Sequence, residues 1–437
     1  MLDLADQLDA VMPTALFGSV VRTVGMTAAV ADFPAPVGAL VEIERHVGGP
    51  LAAEVIGFRD ELTMLYVKSE MAGVRRGNRV RLMRTSRWLR VGNALLGRVI
   101  DAHGHAIDDK PQPALSHKTP LDRRPPPAVQ RPRIDTPLST GIRALDGLLT
   151  CGKGQRMGIF AGSGVGKSTL LGQITRGTDA DVVVVALVGE RGREVGQFVR
   201  EVLGPEGVKK SVLVVATSDR APIERFLAPF VAVTIAEHFR DQGLDVLLVM
   251  DSVTRFAAAA REIGLAAGEP PTVRGYPPSF FATVPKLVER MGRTKLGSIT
   301  GLLTILVEGD DPNEPVADTL RGLLDGHLFL KRELAQAGHF PAVDVLGSLS
   351  RLMTSLVTSP HAKGAGFVRQ CLAAHRDGKD LIEIGAYKPG ANPKLDLAMQ
   401  RMGAIEAFLR QGQGEVSSFA ETSELIALLA QGTDVAR

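Results

Sequence analysis

The sequence predicts an α/β chain in three parts: a small amino-terminal β-barrel domain, a core built on a parallel sheet, and a small carboxy-terminal α-helical domain. Three observations carry this reading. Short β-like runs punctuated by glycine fill roughly residues 17–97. Apolar strand candidates then alternate with helical patterns between about 155 and 350, and strand-poor helical text follows. Continuous apolar strands separated by helices are the signature of a parallel sheet covered on both faces.

Taken in order, the chain opens on residues 2–17, where Leu4, Leu8 and Val11 fall on one side of a short amphipathic helix and Asp3, Asp6 and Asp9 lie elsewhere. A secretion signal would want positive charge there, so none is expected. In "GALVEIER", "LAAEVIGFRD", "ELTMLYVKS" and "RVRLMRT" turn signals recur about every ten residues, which predicts a barrel or sandwich over residues 18–97. The proline-dense "LDRRPPPAVQRPRIDTP" reads as an extended linker at the entrance to a core spanning residues 98–362. Its strands are expected in "RMGIFAG", "DVVVVALVG", "SVLVVAT", "VLLVMDSV" and "ITGLLTILVEG". Residues 363–437, with "AGFVRQCLAAHRDG" and "LDLAMQRMGAIEAFLRQ", read as the helical end.

Composition narrows the class. The 437 residues exceed one compact domain. With 45% hydrophobic and 23% charged residues the chain has a globular balance, and its net charge of +3 against 51 basic and 48 acidic residues does not argue for nucleic acid. Cys151 and Cys371 cannot make a four-ligand zinc site and suit a reducing compartment. No apolar run approaches the ~20 residues that span a bilayer. A cytoplasmic location follows as the expectation.

The stretch "AGSGVGKS", residues 161–168, fits a phosphate-binding loop except that Ala161 replaces the first glycine. In such a loop the backbone of Gly162, Ser163, Gly164, Val165 and Gly166 turns its N–H groups toward phosphate oxygens, and the helix that follows offers its positive end. Lys167 would reach the β- and γ-phosphates of a nucleotide, the Ser168 hydroxyl can ligate Mg2+, and Thr169 is a further nucleotide-binding candidate. Hydrolysis also needs an acid for the metal and a base for water. Asp251, at the end of "DVLLVMD", is the metal candidate. Glu190, closing the strand in "VALVGERGREVGQF", is the candidate base, with Glu194 as its rival.

"PLSTGIRALDGLLTCGKGQRMGIFAGSGVGKSTLL", "VGERGREV", "LLVMDSVTRFA", "GYPPSFFATVPKLVERMG" and "EGDDPNEPVADTLRGLLDGHLFLKRELAQAGHFPAVDVLGSLSRLM" together resemble the type III protein-export ATPases, most closely the flagellar one, relatives of the catalytic subunit of rotary ATP synthases. The resemblance runs from about residue 17 to the last thirty residues. It implies a RecA-like P-loop ATPase core assembled as a homohexamer with sites between subunits, using ATP and Mg2+. It also implies that Glu190 is the catalytic glutamate and that Arg191 is a phosphate-side or intersubunit contact. Arg351 in "SLSR" would be an arginine finger reaching a neighbour's γ-phosphate, and Phe340 in "GHFPAVD" would lie against adenine. Implied partners are a stator-like regulatory protein at residues 1–17, a coiled-coil stalk protein in the ring, export gate membrane proteins and export chaperone–substrate complexes. The chain would then be peripherally associated with the inner membrane at the export apparatus.

Other readings stay open. The basic run "RRGNRVRLMRTSRWLR", with Trp88, could mark a single-strand nucleic-acid face, although alternating Arg and apolar residues also describe the wet face of a barrel strand. The export and rotary motifs favour no nucleic acid. A virulence-type (injectisome) ATPase would share every active-site residue, as would the catalytic subunit of a rotary ion-translocating ATPase. A structural subunit that holds nucleotide would lack Glu190.

Overall fold

The computed structural model describes residues 16–68, 70–307 and 314–431. The expected partner-binding segment, residues 1–17, therefore lies almost wholly outside the described residues.

Strands β1 (Phe17–Val24), β2 (Thr27–Ala31), β3 (Leu40–Ile43), β4 (Leu51–Arg59), β5 (Leu62–Val67) and β6 (Arg79–Arg84) close into an antiparallel barrel in the order β1-β2-β5-β4-β3-β6. Closure leaves no free edge, and the interior is filled by side chains such as Val20, Val30, Ile43, Val55 and Leu65. The barrel strands end at Arg84. β7 (Trp88–Val91), still within residues 18–97, pairs instead with β9 (His117–Pro120). β8 (Arg98–Asp101) between them is already an edge strand of the core sheet, parallel to a later strand at Val212–Val215.

The basic run is drawn into intrachain contacts. Arg79 stacks over Phe17 at 3.4 Å, Arg81 pairs with Glu42 at 2.8 Å, and Arg87 pairs with the buried Glu54. The linker runs extended along the core: Arg123 pairs with Asp241 at 2.9 Å, and Arg131 donates to the carbonyls of Glu289 and Met291.

After the short strands β10 (Pro137–Leu138) and β11 (Cys151–Gly152), which flank helix α1 (Arg143–Leu148), comes the main sheet. Its strands are β8, β12 (Arg156–Ala161), β13 (Val182–Val188), β14 (Ser211–Ala216), β15 (Asp245–Asp251), β16 (Gly292–Arg293), β17 (Ser298–Leu306), β18 (Gly326–Leu330) and β19 (Leu349–Ser350). The order is β19-β18-β12-β17-β15-β13-β14-β8, parallel except for β19 and for β16, which pairs with β17.

Every residue of β13, "VVVVALV", is buried because both faces are covered. Val182, Val184, Ala186 and Val188 face a core shared with α5 (Pro222–Arg240), α6 (Val253–Ala267) and α7 (Pro278–Glu289). Val183, Val185 and Leu187 face a second core, shared with α1 and α2 (Lys167–Gly177). Between these helices in sequence lie the short α3 (Gly192–Gln197) and α4 (Gly204–Lys209).

That second core is also where the end of the chain docks. After α8 (Pro315–Leu323), α9 (Arg332–Gln336) and α10 (Met353–Leu356) come α11 (Ser359–Glu383), α12 (Pro393–Leu409) and α13 (Phe419–Gln431). Phe408, Ile405 and Ile426 bury in the same core as Leu170 and Leu171 of α2, and the carboxy-terminal helices pack against α1. Gly147 of α1 lets the helices come close: a Cβ there would meet the Phe408 ring at 2.7 Å. The carboxy-terminal helices thus rest on the same packing layer as the helix that follows the phosphate loop.

Candidate active site

Parallel strands aim their carboxy-terminal ends at one edge of the sheet, and the loops leaving that edge build the site. β12 ends at Ala161; the chain then turns through Gly164 (φ +77°) and Gly166 (φ +87°), left-handed values that suit glycine, before α2 begins at Lys167. Val165 is buried and anchors the loop in the core.

Lys167 carries its ammonium to the end of β15, where it forms an ion pair with Oδ1 of Asp251, and it lies 3.8 Å from Oε1 of Glu190. All three side chains are largely shielded: 11%, 4% and 16% exposed respectively. Thr304 of β17 donates its hydroxyl to Asp251 Oδ1 at 2.7 Å, so the carboxylate is fixed from a neighbouring strand.

Glu190 follows β13 by way of Gly189. Burial foremost, and then the charge of Asp251, push its carboxyl up to about 7 against the pull of Lys167. Its hydrogen bond with Glu194 acts in the same sense on Glu190 and lowers Glu194, so the proton of the pair belongs to Glu190 and the charge to Glu194. A partly desolvated carboxyl titrating near neutrality beside a phosphate loop is suited to taking a proton from water.

Ser168 is exposed on the first turn of α2, and Thr169 is half-buried behind it. Mg2+ keeps several waters and is held through one or two protein oxygens plus substrate phosphates. A hydroxyl at Ser168 and a carboxylate at Asp251 are the hard oxygen donors that such an ion takes. Among the described residues no group of three His, Cys, Asp or Glu side chains could cage a metal alone.

Phe340 stands beside the loop. The residue is 43% exposed, and its ring would lie 3.2 Å from a Cβ at Gly166. It forms one side of a cavity of about 500 Å³ whose lining includes Gly164, Gly166, Thr169 and Pro341, and whose far wall is the 410–413 segment that follows α12. That wall is held in place by Gln411, whose N–H donates to the Phe340 carbonyl at 2.9 Å and whose Nε2 donates to the Gly141 carbonyl at 2.7 Å. A larger cavity of about 960 Å³ lies between the barrel and α5–α7 and includes no residue of the phosphate loop.

Two of the candidates stand apart. Arg191 is 80% exposed and pairs with Glu194 at 3.7 Å. Arg351 follows β19, which pairs with the start of β18 at Gly326 and His327, and its N–H donates to the Asp325 carbonyl at 3.0 Å. It therefore sits at the opposite end of β18 from Leu330, the residue beside Ala161. Within one chain Arg351 is not brought to Lys167, Glu190 and Asp251.

Sequence reasoning missed three residues at this site. Arg255 donates from Nη1 to the Gly189 carbonyl at 3.1 Å and so supports the turn that delivers Glu190; its signal was its place in "MDSVTR", one helical turn after Asp251. Gln411 had only the glycine–glutamine text "RQGQGE" to mark it. Thr304, inside the apolar "GLLTILV", gave no signal.

Comparison with known proteins gives a concordant picture. Residues 141–350 match the model of the ATP synthase alpha/beta family, nucleotide-binding domain, and residues 357–427 match that of the T3SS EscN ATPase C-terminal domain. The type 3 secretion system ATPase of Xanthomonas euvesicatoria is 47% identical over 411 residues, covering 94% of this chain and 93% of the relative. The flagellum-specific ATP synthase of Bacillus subtilis is 47% identical over 408 residues, covering 93% of each. Among solved structures, the assembled ATPase EscN of the enteropathogenic E. coli type III secretion system superposes with a TM-score of 0.90 at 44% identity, covering 94% of this chain and 100% of that one. EscN in complex with its central stalk EscO gives 0.88 at 43% identity, with the same coverage.

Proposed function

The chain belongs to the type III secretion ATPases, P-loop enzymes of the ATP synthase alpha/beta family, and from that premise we propose that it hydrolyses MgATP to drive protein export at a flagellar base. The observation that carries the catalytic part is the convergence at one edge of the sheet of Lys167, Asp251 and Glu190, whose carboxyl titrates near neutrality.

In this reading the loop N–H groups and Lys167 bind the β- and γ-phosphates, and the adenine enters the cavity beside Phe340. Ser168 and Asp251 would hold Mg2+, which would supply neutralisation of the phosphate charge. Lys167 exchanges its partner Asp251 for phosphate. Glu190, ionised, orients a water and takes its proton as the oxygen attacks the γ-phosphorus; the bond from that phosphorus to the bridging oxygen breaks, and ADP leaves with the electron pair. Arg255 keeps Glu190 at its post.

The remaining charge on the transferring group calls for an arginine at the γ-phosphate, yet within one chain Arg351 lies at the far end of β18 and Arg332 is engaged at the Ser163 carbonyl. Arg351 of a neighbouring subunit supplies it, and Arg191 lines the same seam. That requirement supports a ring, here a homohexamer, with each site completed in trans. The relative described as an assembled ATPase, and its complex with a central stalk, support a coiled-coil stalk protein in the pore. Residues 1–17 would engage a stator-like protein and residues 98–362 would carry the chemistry, with residues 18–97 as the β-barrel domain and residues 363–437 as the helical one; export chaperone–substrate complexes and the export gate would be further partners. Among the described residues no helix is long and apolar enough to cross a membrane, so attachment to the inner membrane would come through these partners.

The test is ATP turnover against protein concentration with molar mass followed by light scattering. Specific activity that rises as a hexamer forms, and that Arg351→Ala removes while nucleotide binding persists, supports the reading. Full activity in a monomer refutes the shared site. Deleting the gene decides the apparatus: loss of flagellar filaments supports the flagellar assignment, and intact filaments move it to an injectisome.

A further inference from the structure

Sheet register places a residue beside the phosphate loop that no motif singles out. β12 and β18 are parallel neighbours, with Ala161 opposite Leu330. Carrying that register two residues past both strand ends brings Ser163 opposite Arg332, the first residue of α9. There Nη1 of Arg332 donates to the Ser163 carbonyl at 3.2 Å.

The segment beyond then doubles back. Gly338, at φ +64°, reverses the chain and Phe340 comes to rest against Gly166. The return leg is fastened by the Lys331 N–H to the Ala342 carbonyl at 2.9 Å and by the Lys331–Asp344 ion pair at 2.8 Å. One closed loop therefore touches the phosphate loop at two places: by a cation at Ser163 and by a ring at Gly166.

The geometry points to Arg332 as a positioning residue for phosphate binding, acting through the Ser163–Gly164 peptide. That peptide is trans, so its carbonyl and its N–H point in opposite directions. A donor that holds the Ser163 carbonyl outward aims the Gly164 N–H inward, to where a phosphate-loop amide must point to meet an oxygen. The Gly164 backbone, at φ +77°, has no Cβ to restrain it and depends on such external anchoring. Arg332 itself need not touch the nucleotide.

This inference rests on the nucleotide reading of the site, and the experiment separates the two. In the full-length chain, dissociation constants for MgADP and for inorganic tripolyphosphate are measured by calorimetry for wild type, Arg332→Ala, Arg332→Lys and Lys167→Ala, together with kcat and KM for ATP. Arg332→Ala should weaken both ligands alike, by about 3- to 10-fold, the span for net loss of one such hydrogen bond. KM should rise in step while kcat stays within about twofold, and Arg332→Lys, which keeps a donor, should recover most of the loss. Unchanged affinities in Arg332→Ala overturn the inference, and so does a loss confined to ADP, which would make Arg332 a support for the base wall. A fall in kcat alone would assign it to the reacting atoms and overturn it equally. If wild type binds neither ligand, or binds both regardless of Lys167, the nucleotide reading itself fails.

Discussion

Lowering the pH from 8 to 6 should cut kcat/KM for ATP about tenfold, because Glu190 loses its capacity to accept a proton over that interval. Burial and the charge of Asp251 put its carboxyl at about 7. The ionised fraction is then roughly nine-tenths at pH 8 and roughly one-tenth at pH 6, whereas an ordinary glutamate near 4.3 would change by only about 2%. The assay is steady-state hydrolysis at low ATP and saturating Mg2+ from pH 5.5 to 8.5. ADP binding is followed in parallel, since phosphate itself titrates near about 6.

Glu194→Ala supplies the internal control. It removes the hydrogen bond that favours the proton on Glu190, so the acid limb should move to lower pH. The same shift has a stability sign. A carboxyl raised from 4.5 to about 7 on folding binds its proton more tightly in the native state, so the stability it contributes below about 4.5 is lost as pH rises to about 7. The urea midpoint should fall across that window in wild type and fall less in Glu190→Gln. A pH–rate profile that stays flat between 6 and 8 with ADP binding unchanged would refute the assignment of Glu190 as base.

Lys167→Ala should weaken MgADP by about 10- to 150-fold, as for loss of a charged hydrogen bond, and should stop turnover. Phe340→Ala should weaken ADP by roughly 2- to 13-fold, the range for loss of aromatic stacking, while leaving tripolyphosphate unaffected in the same calorimetric titration. Phe408→Ala empties a site that is 2% exposed and should cost about 3 to 5 kcal/mol, read as faster amide exchange in α12 and α1 than in the barrel.

Parts of this molecule were legible in sequence because single residues carry local physics. "AGSGVGKS" announces itself because left-handed turns at Gly164 and Gly166 can be met cheaply only by glycine, and because a lysine must follow. "VVVVALV" announces a strand buried on both faces because no polar side is left to face water. The start of the core was harder to read. β8 sits among residues that look like the barrel's continuation, and only its pairing with β14, more than a hundred residues later, makes it part of the core sheet. A short "RVID" run carries no local sign of which sheet it will join.

The same division holds within the active site. Asp251 ends an apolar strand and Glu190 follows one after a single glycine, so both stand out by position, Glu190 with Glu194 as its rival. Thr304, Arg255 and Gln411 act through contacts fixed by strand order and by the docking of the last helices, so their roles exist only once the fold does. Arg351 lies between these cases: its motif marks it as functional, but the direction in which it acts follows from topology. β19 pairs antiparallel with the beginning of β18, not its end, so the arginine leaves the sheet at the edge away from its own phosphate loop. An arginine carried there does not face the phosphate loop of its own chain, and that is why the proposed finger role requires a neighbouring subunit's loop.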